Sequence, residues 1–385
     1  KRSLLATAAV AAVALVAPTM APAQAANEIK IGVMTSTSGP LKSYGDAYVD
    51  ALNWGLKYYT GGKMAINGQK LVVTVKDDLT DPASATAIFK DMVGNGTKVI
   101  VGTAFSNNGL ALAPLAQQNK VLYINGPAKN DGITSAANKY VFRSGNTSLQ
   151  DFAPLANLIK RPAGKKIVLF VEDNLFGAGN SAAVKLFMAP KGATFQEIKV
   201  PTSTTDFTPF AKQAADAKGA YIFIAWSNAL TALSMMTALK QQGAFAKQIP
   251  VTGLAGTASY NLYGTVFDGV QTIMTSSYFP GVGKTKAAAD LAASFAASKK
   301  SQDLFTCTGA DAAKMIVQAL TNNPDQNVDQ MITNLEGYSW VGVKGLMKVD
   351  ASKHVLIQPM FLVSLKKTAA GYVPVLEKTI NNVTA

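Results

Sequence analysis

Short apolar runs alternate with longer amphipathic stretches along most of the chain. Ile29–Met34 is an apolar run interrupted by one lysine, and Leu71–Lys76 alternates apolar and polar residues in the manner of a strand. Asp46–Tyr59 lies between them with the spacing of an amphipathic helix; Ala83–Met92 has the same spacing and follows Asp81, a good helix cap. Such alternation predicts an α/β fold in which helices cover both faces of a mostly parallel sheet.

The stretch from residue 99 to residue 126 contains the strongest candidate site. Val99–Val101 and Val121–Ile124 are predicted strands, and a helix containing Pro114 separates them. Three residues that favour a helix N-cap precede this helix, namely Ser106, Asn107 and Asn108. The unit places a polar loop and a helix N-terminus at the carboxyl edge of a parallel sheet, where ligands bind and where free N–H groups suit a carboxylate. The alternative to a ligand site here is an ordinary turn between a strand and a well-capped helix.

A second set of alternating elements follows Arg143–Ser148, so the chain is predicted to form two lobes. Its predicted strands are Ile167–Glu172, Thr194–Val200, Tyr221–Trp226 and Ile249–Gly253. Its predicted helices are Ser181–Met188, Pro209–Ala217 with Asp206 as a cap, and Ala229–Gln241. Loops are predicted at Asn174–Gly179 and, in the first set, at Thr35–Pro40 and Lys42–Gly45.

The first 25 residues have the pattern of a secretion signal. Lys1 and Arg2 form a positive start, Leu4–Ala17 is apolar but too short to cross a bilayer, and Ala23-Gln24-Ala25 supplies small residues for cleavage. We expect cleavage after Ala25 or Ala26 and export to the periplasm. No cysteine follows the apolar run, so no lipid anchor is expected.

Composition and motifs argue against several other functions. The formal charge is +13, but the lysines are scattered and no nucleic-acid-binding pattern is present, so no nucleic-acid partner is expected. The single cysteine, Cys307, and the single histidine, His354, exclude an intramolecular disulfide and a cysteine- or histidine-rich metal site. Gly281–Thr285 ends like a phosphate-binding loop, but Tyr278 stands where that motif requires glycine. We therefore expect no enzyme activity, no metal and no cofactor.

Several short motifs occur in a characteristic order. They include I-K-I-G-V-M-T-S-T-S-G-P at 29–40, D-D-L-T-D-P at 77–82 and Y-I-N-G-P-A-K-N-D-G-I-T at 123–134. With these motifs the chain resembles, over residues 28–385, the periplasmic solute-binding proteins of the branched-chain amino acid ABC transporter type. The resemblance implies two Rossmann-like lobes joined by a three-strand hinge and closing on a ligand. It implies one lobe of residues 27–146 plus 277–343 and a second of 147–276 plus 344–385.

The resemblance also implies a ligand site. The carboxylate of the ligand would be held at Ser106, with its neighbours Phe105 and Asn107, and by the backbone of Gly126, Pro127, Ala128 and Lys129. Aromatic side chains would come from four loops, at Tyr44, Phe176, Trp226 and Phe305. Each of these aromatic residues could instead pack in a core or between the lobes.

Two positions depart from the family pattern. Ala255 stands where amino-acid-binding members place an acidic residue for the ligand ammonium, and a buried ammonium without a counter-charge costs several kcal/mol. Lys129 replaces a small polar residue and could attract an anion. These departures favour a carboxylic acid without an ammonium group, and the aromatic loops favour an aromatic one. An amino acid stays open, because Asp173 or Asp206 could replace the missing charge.

The sequence therefore predicts an exported, monomeric binding protein that captures a small carboxylate and delivers it to a membrane ABC permease. The alternative is a ligand-sensing subunit of the same fold that serves a receptor or regulator. A neighbouring permease gene would favour transport over sensing.

Overall fold

Two β-sheets form the frame of the molecule. The computed structural model describes residues 28–134 and 137–385, and the predicted export signal lies outside the described residues. The first sheet contains β1 (Glu28–Thr35), β2 (Ala65–Ile66), β3 (Gln69–Asp77), β4 (Val99–Gly102), β5 (Leu122–Asn125) and β6 (Val141–Arg143). Its order is β2-β3-β1-β4-β5-β6, and each pairing is parallel except that of β2 with β3.

The second sheet is built from the later strands. They are β7 (Lys166–Glu172), β8 (Thr194–Val200), β9 (Tyr221–Ala225), β10 (Ile249–Gly253), β11 (Ile273–Ser276), β12 (Ser339–Gly342), β13 (Gly345–Val349), β14 (Leu356–Thr368) and β15 (Gly371–Val383). The order is β12-β13-β14-β11-β10-β9-β7-β8, with β15 paired to β14. Strands β7 to β11 pair in parallel, whereas β14 runs antiparallel to β11 and β15.

Helices connect the strands and cover the sheets. Those of the first set are α1 (Lys42–Tyr59), α2 (Pro82–Gly94) and α3 (Ser106–Asn119). Those of the second are α4 (Ser148–Ala156), α5 (Leu175–Met188), α6 (Thr208–Asp216), α7 (Ala232–Gln241) and α8 (Tyr260–Val266), and the later ones are α9 (Lys286–Ala297), α10 (Thr306–Leu320) and α11 (Val328–Leu335). None of the described helices has both the length and the apolar character needed to cross a membrane.

Each sheet has its own hydrophobic core, and this confirms the predicted α/β fold in two lobes. The core of the first sheet includes Ile31 and Val101, together with Met315 of α10 and Leu335 of α11. The second sheet is covered by separate clusters on its two faces. Every residue of β4 and of β9 is buried, because helices cover both faces of a parallel sheet.

Two of the predicted loops are instead the first turns of helices. Helix α1 begins at Lys42 and helix α5 at Leu175, so the loops predicted at Lys42–Gly45 and Asn174–Gly179 are wrong. Their glycines permit close packing rather than a loop. A Cβ on Gly45 or on Gly177 would lie 1.9 Å from a carbonyl oxygen at the end of the preceding strand.

Other local predictions have mixed outcomes. Asp81 caps α2 as predicted, because its carboxylate accepts the N–H of Ser84 at 2.7 Å. Asp206 accepts the N–H of Thr208 at 2.9 Å, but the N-cap position of α6 belongs to the next residue, Phe207. His354 directly follows the turn at residues 351–353 and stacks on the ring of Phe142 at 3.9 Å.

A buried carboxyl group in α10 couples the stability of the fold to pH. Asp311 is fully buried; its Oδ1 accepts the indole N–H of Trp340 at 3.2 Å, and its Oδ2 has no hydrogen-bond partner among the described residues. Burial raises the pKa of Asp311 from 3.8 to about 7. Between these two values the folded chain binds the proton and the unfolded chain does not.

We predict that Asp311→Asn removes a pH dependence of stability. With the pKa raised in the folded state, the free energy of unfolding of the wild type falls between about pH 4 and pH 7, by up to about 4 kcal/mol. Urea unfolding across this range should show a flatter profile for Asp311→Asn and a more stable variant at pH 8. The exposed Asp325→Asn serves as the control. Parallel profiles for wild type and Asp311→Asn would contradict this account.

Candidate functional site

A cavity of about 80 Å³ lies where the carboxyl ends of the two sheets face each other. On the second sheet it is lined by the ends of three adjacent strands, at Ile224, Thr252 and Thr275. On the first sheet it is lined by the segments that directly follow β1, β4 and β5. The volume admits several water molecules.

The N-terminus of α3 opens into this cavity. Phe105 is its N-cap residue and supplies no side-chain acceptor, so the first amides of this 14-residue helix stay available to a ligand. Ser106 is buried and lines the cavity, and its Oγ accepts the backbone N–H of Asn130 at 3.3 Å. The Ser106 hydroxyl proton and the partial positive charge of the helix end together suit a carboxylate.

The charged side chains that line the cavity, among the described residues, are Lys129 and Asp151. They form an ion pair of 2.7 Å, and each side chain is nearly buried, with 13% and 11% of its surface exposed. The other carboxylate oxygen of Asp151 accepts the side-chain amide of Asn146 at 2.7 Å. The pair cancels its own charge, so the cavity wall is electrically neutral.

A fully buried arginine holds the loop that carries Lys129. Arg143, at the end of β6, donates to the carbonyl oxygens of Ala128 (2.8 Å) and Asn130, and to the hydroxyl of Thr134 (3.1 Å). Burial lowers the pKa of Arg143 to about 10, so the guanidinium stays charged at neutral pH. Three neutral acceptors thus satisfy a buried cation and fix the backbone on either side of Lys129.

Aromatic side chains form much of the remaining wall. Tyr44 and Phe305 meet edge to face at a centroid distance of 5.0 Å, and Lys129 Nζ lies 5.7 Å from the Phe305 ring. The ring of Trp226 packs edge to face against Phe207 at a centroid distance of 5.4 Å, and its indole N–H donates to a threonine hydroxyl in the same loop. Burial raises the pKa of Tyr44, which therefore stays uncharged. The cavity suits a flat, apolar ligand body.

Nine of the twelve sequence-predicted site residues line the cavity: Tyr44, Phe105, Ser106, Pro127, Lys129, Phe176, Trp226, Ala255 and Phe305. Gly126 and Ala128 do not, because their N–H groups bond to Gly102 and Thr103 at the end of β4. Asn107 does not line it either, since its side chain reaches the backbone of Leu175 instead.

Sequence reasoning missed several lining residues. They include Leu41, Asp151, Asn180, Phe223, Thr252 and Tyr263. Most of them lie at strand ends or on helix faces, where a pattern of apolar residues indicates core and not a cavity. Asp151 had a usable signal, because the Thr147/Gln150 capping box places it in the first turn of α4, beside the predicted lobe border.

Within residues 28–134 and 137–385, no group of three or more histidine, cysteine, aspartate or glutamate side chains is placed to hold a metal ion. Glu172, a buried acid at the end of β7, is satisfied by Asn174 and by the backbone N–H of Asn228. We assign no metal-binding residues.

Known proteins resemble this chain over most of its length. The model of a family described as periplasmic binding protein matches residues 28–370. A relative from Brucella melitensis, named Leu/Ile/Val-binding protein homolog 6, is 22% identical over 361 residues that cover 91% of each chain. Two solved structures are also similar. An ABC-type branched-chain amino acid transporter protein from Rhodopseudomonas palustris is 28% identical, with a TM-score of 0.76 and coverage of 92% of this chain and 97% of that one.

The second structure is a solute-binding protein of an ABC transporter from Rhodopseudomonas palustris, solved with 4-hydroxybenzoate. It is 20% identical, with a TM-score of 0.82, and the match covers 93% of this chain and 98% of that one. At this identity the likeness shows a shared fold.

We predict that Arg143→Lys destabilises the fold and loosens the loop that carries Lys129. Lysine keeps the charge but cannot reach three separate acceptors, and hydrogen bonds to a charged group contribute about 1.5–3 kcal/mol each. The free energy of unfolding in urea should fall by about 2–5 kcal/mol. The exposed Arg161→Lys is the matched control, and equal stability of the two variants would show that Arg143 has no such role.

Proposed function

The chain belongs to the periplasmic binding protein family, and we propose that it captures a small carboxylic acid between its two lobes and delivers it to an ABC importer. The family resemblance inferred from the sequence motifs is confirmed, as is the prediction of a binding protein rather than an enzyme. We place this protein in the periplasm, as a monomer, with an export signal in residues 1–25.

The observation that carries the proposal is the open N-terminus of α3 inside an aromatic cavity. Ser106 and the first amides of the helix are the hydrogen-bond donors that a carboxylate requires. Tyr44, Phe176 and Trp226 form apolar walls for the rest of the ligand. Such a cavity, apolar with a few convergent polar groups, is typical of a small-molecule site.

We propose further that the ligand lacks an ammonium group. Ala255 offers no charge, and the acid that lines the cavity, Asp151, already bonds to Lys129 and Asn146. An ammonium would have to displace one of these partners or remain unpaired, at a cost of several kcal/mol. An aromatic monocarboxylate has no ammonium group, so it neither displaces a partner of Asp151 nor leaves a positive charge unpaired. Proteins of this fold have been solved with 4-hydroxybenzoate, 3,4-dihydroxybenzoate and benzoate, which makes these compounds the first candidates.

Closure of the lobes would complete the site. We assign residues 27–146 and 277–343 to one lobe and 147–276 and 344–385 to the other, joined by the three connections between them. In this mechanism the carboxylate binds first at Ser106, and contacts from Phe176 and Trp226 on the second lobe then favour the closed form. An importer would recognise that closed form.

We predict that aromatic monocarboxylates stabilise the protein and that amino acids do not. A ligand at about 100 times its Kd stabilises the folded state by about 2.7 kcal/mol, so the Tm rises by about 5–10 °C. Differential scanning fluorimetry would compare benzoate and 4-hydroxybenzoate with leucine and phenylalanine. Benzamide, which lacks the negative charge, is the matched control for the carboxylate.

Each outcome of this screen is informative. A rise with leucine or phenylalanine would overturn the argument from Ala255, and a rise with benzamide equal to that with benzoate would overturn the role of α3. No rise with any carboxylate would overturn the proposed function. Delivery is tested by uptake of the labelled ligand in cells lacking this chain, and unchanged uptake would favour a sensing role.

We predict that the net charge of the Lys129–Asp151 pair, and not a direct contact of the ligand with Lys129, determines the affinity for benzoate. Lys129→Met leaves Asp151 as an unpaired negative charge and should weaken benzoate binding about tenfold or more. Asp151→Asn should have the opposite effect. The double variant is neutral like the wild type and should bind benzoate with similar affinity in isothermal titration calorimetry. If it binds as weakly as Lys129→Met, Lys129 contacts the ligand directly.

A further inference from the structure

Two asparagine side chains from the first sheet hold one residue of the second. The side-chain oxygen of Asn107 accepts the backbone N–H of Leu175 at 3.2 Å. The side-chain amide of Asn130 donates to the backbone carbonyl of the same residue at 2.5 Å. We call this arrangement of Asn107, Asn130 and Leu175 the asparagine clasp.

The clasp joins elements that belong to different sheets. Asn107 lies on α3 and Asn130 follows β5, both attached to the first sheet, whereas Leu175 is the first residue of α5, attached to the second. None of the three lines the cavity, but each is adjacent in sequence to a residue that does: Ser106, Lys129 and Phe176. The clasp therefore joins two walls of the cavity without lining the cavity itself.

Local hydrogen bonds orient the Asn130 amide at one end of the clasp and leave the N–H of Leu175 available at the other. The side-chain oxygen of Asn130 accepts the N–H of Gly132 at 2.9 Å, so its NH₂ group is directed to the other sheet. Asn174 caps α5 by accepting the N–H of Gly177, and this leaves the N–H of Leu175 as one of the unpaired amides of a helix start. The side-chain oxygen of Asn107 accepts this N–H of Leu175, for which α5 itself has no acceptor.

We propose that the asparagine clasp stabilises the closed arrangement of the lobes independently of the ligand. This inference rests on the proposed capture of a ligand between the lobes. Two further contacts join the same lobes. The N–H of Thr257 donates to the Asp303 carboxylate at 2.7 Å, and Lys129 pairs with Asp151 at 2.7 Å, so loss of the clasp opens only part of the population. A protein that closes in part without ligand binds more tightly, because less of the binding energy is spent on closure.

Leu175 permits a backbone-specific test. Leu175→Pro removes the N–H that Asn107 accepts, and proline is favoured at the first position of a helix, so α5 is preserved. Leu175→Ala removes the side chain and keeps both backbone groups. Small-angle scattering of the ligand-free protein should give a larger radius of gyration for Leu175→Pro than for Leu175→Ala and the wild type.

The asparagines provide the complementary test from the other lobe. Asn107→Ala, Asn130→Ala and the double variant should each expand the ligand-free protein, and the exposed Asn119→Ala on the same helix is the control. With benzoate as the probe, stopped-flow measurements should show about three- to tenfold faster dissociation for each single variant, with a nearly unchanged association rate.

The ligand-free measurement separates this proposal from the proposed function. An unchanged radius of gyration in both Leu175→Pro and the asparagine double variant would overturn the clasp, whatever the ligand is. If the variants expand but no carboxylate binds, the clasp holds and the assignment of the ligand fails. Loss of folding in the double variant would leave Leu175→Pro against Leu175→Ala as the deciding comparison.

Discussion

The buried guanidinium of Arg143 is the interaction on which the site depends. The cation is tolerated in the interior because its N–H groups meet two carbonyls and a hydroxyl in a fixed geometry and because the Asp131 carboxylate stabilises its charge from a longer distance. Those acceptors lie in the loop after β5. This loop carries both Lys129, which lines the cavity, and Asn130, which reaches across to the second sheet. One side chain at the end of a strand thereby positions a ligand wall and a contact between lobes.

The second constraint is electrical neutrality. Under the proposed function the cavity binds an anion, yet the cation in its wall, Lys129, is neutralised by Asp151 at 2.7 Å. The positive potential for a carboxylate then comes from the dipole and amides of α3, which are fixed in direction and cannot reach out to solvent. A neutral wall also penalises a zwitterion, because its ammonium finds no free acceptor of opposite charge. Selectivity would thus follow from the lack of a free carboxylate for an ammonium group as much as from the N–H donors that α3 presents to a carboxylate.

Residues that line the cavity and residues that join the two sheets are neighbours in sequence. Ser106 lines the cavity while Asn107 reaches the second sheet. Lys129 lines the cavity and pairs with Asp151, while Asn130 reaches Leu175. Adjacent residues point in different directions at a helix start or in a loop, so a short segment can serve both purposes. Under the proposed function, lobe closure and ligand binding would respond to separate substitutions, although the residues concerned occupy the same loops.

The sequence by itself determined the alternation of strands and helices, the two lobes, the family and nine of the residues that line the cavity. The alternation, the two lobes and Ser106 follow from local periodicity and from a loop at a strand end, whereas the family, Phe176 and Trp226 follow from the resemblance of short motifs to a known family. Only the tertiary structure decided the pairing of Lys129 with Asp151, the reach of Asn107 to Leu175 and the burial of Arg143. Each of these joins segments that are distant in sequence or separated by a strand, where no local pattern specifies the partner. The glycines at 45 and 177 illustrate the same limit, because close approach of a helix to a strand end is a property of the fold and leaves in the sequence only a signal that is typical of a loop.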